Sequence, residues 1–148
     1  MQLHKLIYFA HGWSLGIYGR PLGKEPIQAW KYGPVIPSRY RHFKKYGSRP
    51  ITSMAFEVFV EDDDVTVFEP KVPATDSKVV ALLDRIWSLY GVKDAILLSE
   101  LSHERGGPWD KTFTENLGQK NAVIETDSIR HFFSERAQAN ASERRQQQ

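Results

Sequence analysis

The residues best suited to chemistry lie between positions 99 and 109. Ser99, Glu100, Ser102, His103 and Glu104 precede the turn Gly106-Gly107-Pro108-Trp109. Imidazole titrates near neutrality, so a histidine beside hydroxyls and carboxylates could move a proton or activate a nucleophile. The same His103 at a helix end could instead cap terminal carbonyls, where the helix dipole favours a cation. The cap is the preferred reading, and Trp109 behind Pro108 is read as a core anchor. His103-Glu104 opens like the zinc motif H-E-x-x-H but continues Arg-Gly-Gly, and no phosphate-cradling loop or nucleophile elbow is present. His4 and His11 are two helical turns apart, lack i, i+4 spacing and have no nearby carboxylate ligand. No catalytic residue, metal or cofactor is therefore expected, and the chain is read as not an enzyme. The competing reading is a cryptic enzyme or small-ligand domain centred on His103, Glu104 and Trp109.

A second constellation suits binding. The run from 30 to 47, WKYGPVIPSRYRHFKKYG, begins with Trp30 and Tyr32, read as a buried aromatic entry, and turns at a rigid Gly33-Pro34 corner. Pro37 fixes φ and fits the first turn of a helix, where its missing N–H is no loss. In that helix Ile36, Tyr40 and Phe43 share one face, with Tyr46 beside them, and Arg39, Arg41, Lys44 and Lys45 lie mostly off it. Gly47 supplies the stop. The plain reading is a helix–loop corner with a solvated basic side. The sharper one is a partner-binding surface made by Tyr32, Arg39, Tyr40, Arg41, Lys44 and Lys45.

Several elements must position these groups. Leu3, Leu6, Ile7, Ala10, Trp13 and Ile17 fall at helical spacing over residues 2 to 18. Tyr8, Phe9 and Leu15 widen the apolar arc, as in a helix buried from several sides, and Gly19 ends it. Residues 19 to 29 form a turn-rich connector leading to a short extended piece at 27 to 30. In FEVFVEDDDVTVFEP, alternation around an acidic turn predicts a β-hairpin. Its cluster Glu61, Asp62, Asp63 and Asp64 lacks the spaced ligands of a calcium loop and is read as a solvated tip. Asp76 caps a helix over 76 to 90, and Gly91 stops it. Another helix covers about 93 to 103 with Leu97, Leu98 and Leu101 apolar, stopped by Gly106-Gly107. A short helix or turn follows from Pro108 to Phe113, and residues 114 to 124 read as irregular. The last helix starts near Thr126-Asp127 and buries Ile129, Phe132 and Phe133. The fold class is mainly α: a compact single-domain helical bundle with a small β-hairpin. The domain spans 1 to 137, followed by a polar tail at 138 to 148 expected to be disordered.

With 148 residues the chain is sized for one domain and can bury roughly two-thirds of its unfolded surface, enough for a core without staples. Cysteine is absent, which removes disulfides, thiolate metal sites and a thiol nucleophile and fits the reducing cytoplasm taken as its location. A net charge of +2 is too mild to argue for nucleic acid by itself. The basic helix, with Arg49 and Arg144-Arg145, keeps nucleic acid as a weaker alternative partner. No run of about 18 apolar residues exists, so no membrane span is expected.

Three blocks occur in order: K-L-x-Y-F-A-x-G-W from Lys5, A-W-x-Y-G-P-V-x-P-S-x-Y around Gly33, and L-S-x-L-S-H…G-P-W ending at Trp109. Together, over residues 2 to 113, they resemble the Panacea-domain antitoxin family, which includes SocA-like antitoxins and GepA-like phage-associated proteins. The resemblance implies a mainly helical antitoxin that neutralises a toxin encoded nearby by direct protein–protein binding. An alternative within the family is an adaptor that hands the toxin to a cytoplasmic AAA+ protease, and another is a DNA-binding autoregulator of its operon. Matching motif positions, read as structural, are Lys5, Leu6, Tyr8, Trp13, Trp30, Gly33, Pro34, Pro37, His103, Pro108 and Trp109. Family members usually carry an extra segment before the first block, whereas Met1 here sits almost at it. A missing first helix and a short variant are the two alternatives.

Overall fold

Helix α1 (Gln2–Tyr18) runs through the middle of the molecule, which is described by a computed structural model covering residues 1–62 and 64–146. Asp63 of the acidic tip and tail residues 147–148 lie outside the described residues. After α1 come strands β1 (Gln28–Trp30) and β2 (Gly33–Val35), helix α2 (Pro37–Phe43) and a 3-10 turn (Lys44–Tyr46). Strands β3 (Glu57–Glu61) and β4 (Asp64–Phe68) follow. Helices α3 (Ser77–Tyr90), α4 (Ala95–Ser102), α5 (Pro108–Glu115) and α6 (Thr126–Gln146) complete the chain. The architecture is mainly α with two small antiparallel hairpins.

Helix α1 is packed by α6, α3, α4 and β2. Its buried positions are Lys5, Tyr8, Phe9, Ala10, His11, Gly12, Ser14 and Leu15. That face differs from the expected stripe: Ile17 is half exposed, and Leu3, Leu6, Ile7 and Trp13 are only partly covered. The reason is the space that small residues open. Gly12 and Gly16 sit one turn apart against α6, and a Cβ built on Gly16 would lie 2.6 Å from the Phe133 carbonyl carbon. Phe133 thus lies on glycine, edge-on to Tyr8 and Trp13, with Phe9 stacked on Tyr90 at 4.5 Å. Gly16→Ala is expected to cost ~1–3 kcal/mol by forcing its methyl against the Phe133 backbone, although alanine is the better helix former. Urea denaturation reads this directly, and an unchanged midpoint would mean that α6 is not seated there.

Helices α3 and α4 begin where aspartates satisfy free N–H groups, and α2 and α5 where prolines remove one. Asp76 accepts from Val79 N–H and Asp94 from Leu97 N–H, and Pro37 and Pro108 occupy first turns. In α4 only Leu98 of the three expected leucines is buried, and Leu97 and Leu101 are exposed. Helix α4 ends at Ser102, ahead of the glycine pair, with His103 as its C-cap residue. Residues 122 to 124 are not irregular: Ala29 N–H bonds the Ala122 carbonyl and Ile124 N–H bonds the Ile27 carbonyl, both at 2.8 Å. This pairing lays a third extended segment beside β1 and buries Ile124. Helix α6 continues past position 138, where disorder is expected, to Gln146, with every described side chain from 138 onward exposed. Among the described residues no helix is long and apolar enough to cross a membrane.

Candidate functional site

The three motif blocks, distant in sequence, meet in one place. Lys5 of α1 is 1% exposed and donates from Nζ to the Pro34 carbonyl of β2 at 3.2 Å. Gly33 has φ +106, and a Cβ there would fall 2.5 Å from Lys5 Nζ and 2.9 Å from Ser102 Oγ. Only glycine permits both that backbone and that approach. From α4, Ser99 Oγ donates to the Tyr32 carbonyl at 3.2 Å and Ser102 Oγ to the Ser99 carbonyl at 2.8 Å. From α5, Trp109 Nε1–H donates to the Trp30 carbonyl at 2.8 Å. The β1–β2 hairpin is therefore held by one side chain from each of three helices.

His103 lies at the rim of this knot. Its backbone N–H caps α4 by bonding the Ser99 and Glu100 carbonyls, while its ring stacks on Trp109 at 3.8 Å. The imidazole is not the carbonyl cap that the sequence suggests, and its Nε2 has no hydrogen-bond partner among the described residues. Neither serine hydroxyl is directed at it, so the nucleophile–base contact of hydroxyl activation is not formed. Glu104 is turned away, paired with Arg136 of α6. Trp109, buried, stacks on Phe113 at 4.6 Å on its other side.

Burial dominates the electrostatics. It depresses Lys5 to about 7, since no carboxylate compensates the desolvated ammonium. His103 is lowered by burial first and then by Lys5, with Asp110 opposing. His4 falls to about 4 through burial, the N-terminal ammonium and Lys5. Tyr8 is pushed above its ordinary range by burial. Among the described residues no three His, Asp or Glu side chains converge as metal ligands.

The basic corner adjoins the knot. Tyr40 packs edge-on against Trp30 at 4.9 Å and tilts over His4 at 5.7 Å. Tyr32 is 65% exposed at the β1–β2 turn, not part of a buried entry, and Trp30 is half-buried under Lys120. Arg41, Lys44 and Lys45 are exposed, as is Tyr40 in part. Arg39 stands apart from them. It bridges Glu25 at 3.0 Å and Glu57 at 3.1 Å, tying α2 to the connector and to β3. Of the sequence-derived motif positions, Lys5, Gly33, Pro34, Pro108 and Trp109 come together in or beside the knot. Leu6 and Trp13 pack partly buried on the core of which Tyr8 is a member. Of the two serines weighed in the sequence only as chemistry, Ser99 clasps the hairpin through the Tyr32 carbonyl and Ser102 packs close to Gly33, roles that show only once α4 is placed beside β2.

A buried lysine–glycine–tryptophan clasp that grips a small hairpin inside a mainly helical domain, with tyrosines and cations displayed beside it, defines the class of fold. Residues 3–110 match the family described as "Antitoxin SocA-like, Panacea domain", and the chain belongs to that family. It is similar to "Antitoxin SocA" of Caulobacter vibrioides (strain NA1000 / CB15N), with 37% identity over 111 residues. That alignment covers 74% of this chain and 57% of the curated relative, so the chain spans little more than half of that protein's length. No solved structure matches.

Proposed function

We propose that this protein is an antitoxin that neutralises a protein toxin encoded beside it by binding it directly. Family membership carries the reading. Its surface chemistry supports it: Tyr32, Tyr40, Arg41, Lys44 and Lys45 are exposed aromatic and cationic side chains on the β1–β2 turn and α2. Aromatics of this kind anchor interfaces, and cations around them speed encounter with an acidic partner surface more than they tighten the final complex. Arg39 supports them by fixing α2 against its neighbours.

Co-expression with the product of the adjacent reading frame tests this. That product is expected to arrest growth alone and to be harmless beside this chain. Reversing charge with Arg41→Glu, Lys44→Glu and Lys45→Glu together is expected to weaken binding by about tenfold, equivalent to about 1.4 kcal/mol. The loss should fall mainly on the association rate and shrink at high salt. A neighbour that is harmless alone, or still toxic in the presence of this protein, would remove the reading.

A further inference from the structure

The β3–β4 ribbon is not packed as a hairpin of a finished domain should be. Val58 pairs with Val67 and Val60 with Val65, giving one face of four valines, and Phe59 and Phe68 lie on the other. Each of these six side chains is at least half exposed. A two-stranded hairpin is marginal unless a third strand or a packed face supports it, and here the chain covers neither face. Its root is nevertheless fixed. Glu57 is held by Arg39, and Phe56 packs edge-on against His42 at 4.9 Å.

Both edges are open as well. The register runs without a bulge from Glu57↔Phe68 to Glu61↔Asp64, and neither strand carries the lysine or proline that commonly blunts an exposed edge. The charges on the ribbon are all negative. Glu61, Asp62 and Asp64 make no ion pair among the described residues. A second copy pairing antiparallel through β3 would set Glu57 opposite Glu61, an unfavourable like-charge pair. A cationic segment meets no such penalty.

We propose that the β3–β4 ribbon takes up an extended segment of the toxin as an added strand, a segment with apolar side chains flanked by lysine or arginine. Main-chain ladder bonds would supply affinity, the valine face would accept alternate apolar side chains, and the carboxylates would select for flanking cations. The identity of the partner rests on the antitoxin reading above, and the experiment separates the two. Wild-type protein and two ribbon variants are titrated with the purified product of the adjacent reading frame. One variant is Glu61→Lys with Asp64→Lys, and the other is Val60→Gln with Val65→Gln. All four side chains are exposed, so unchanged thermal midpoints are expected for the free variants. Both variants should bind at least tenfold more weakly, and amides of β3 or β4 should exchange more slowly in the complex than in the free chain. Tight binding by the wild type, matched by both variants and with no slowed ribbon amide, would overturn the ribbon as the docking element and leave the antitoxin reading standing. A wild type that does not bind overturns both. Concentration-dependent protection of the ribbon in the free chain would assign it to self-association and overturn the proposal too.

Discussion

Replacing Lys5 by methionine is expected to stabilise the protein at pH 6 and to leave it little changed near pH 9.5. The side chain is 1% exposed, among the described residues its Nζ has only the Pro34 carbonyl as a partner, and burial brings its pKa from 10.5 to about 7. Between these values the unfolded chain holds a proton that the folded chain has released, so wild-type stability rises with pH across that window. Below pH 7 both states are charged, and folding carries the full cost of burying an ammonium. Each unit of the difference is worth about 1.4 kcal/mol. Methionine keeps the length of the stem but orphans the Pro34 carbonyl, which offsets ~1–3 kcal/mol of the gain. A net stabilisation on the order of 2–3 kcal/mol at pH 6 remains. Urea titrations at pH 6, 8 and 9.5 measure it. They stop short of pH 10, where ionisation of Tyr8 in the unfolded chain alone begins to act the other way. A variant less stable than wild type by the same amount at every pH would show that the buried amine is compensated in the folded state.

Trp109→Ala should be the most damaging single truncation, at ~3–5 kcal/mol. The indole is stacked between His103 and Phe113, and its N–H closes on the Trp30 carbonyl at 2.8 Å. Removing it empties the space beside His103 and Phe113 and takes a donor from the Trp30 carbonyl. Trp109→Phe separates the two losses: it keeps a ring for stacking and should cost only ~0.5–1.5 kcal/mol for the lost hydrogen bond. Chemical denaturation of both variants checks this, and an alanine variant within 1 kcal/mol of wild type would mean that the clasp is held without the indole.

Local chemistry made much of this legible in the sequence. Apolar spacing bounded α1, Asp76 marked the start of α3, Pro37 that of α2, and the period-two run around the acidic turn located β3 and β4. What escaped depends on partners remote in the chain. Strands of three residues, one containing Pro34, carry too few positions for a period, and residues 122 to 124 become extended only because β1 offers them backbone partners. The buried face of α1 includes the expected Tyr8, Phe9, Ala10 and Leu15 but departs from the expectation at Leu3 and Ile17, because hydrophobicity scores them above Gly12 and Ser14, whereas close approach of α6 rewards small residues. Lys5 could be recognised as a motif residue but not as a buried amine, since nothing local predicts that β2 and α4 close over it. The family blocks mark which residues belong together, and the β1–β2 hairpin they grip is the physical reason.

The seating of Phe133 on Gly12 and Gly16 has a temporal side. Synthesis delivers α1 before α6, so the flank bearing Tyr8, Gly12 and Gly16 stays open until residue 133 has left the ribosome. At roughly 5–20 residues per second that wait is on the order of ten seconds. During it the nascent chain displays an aromatic helix that chaperones and proteases can bind, and a message cut short before α6 yields a product without its closing piece.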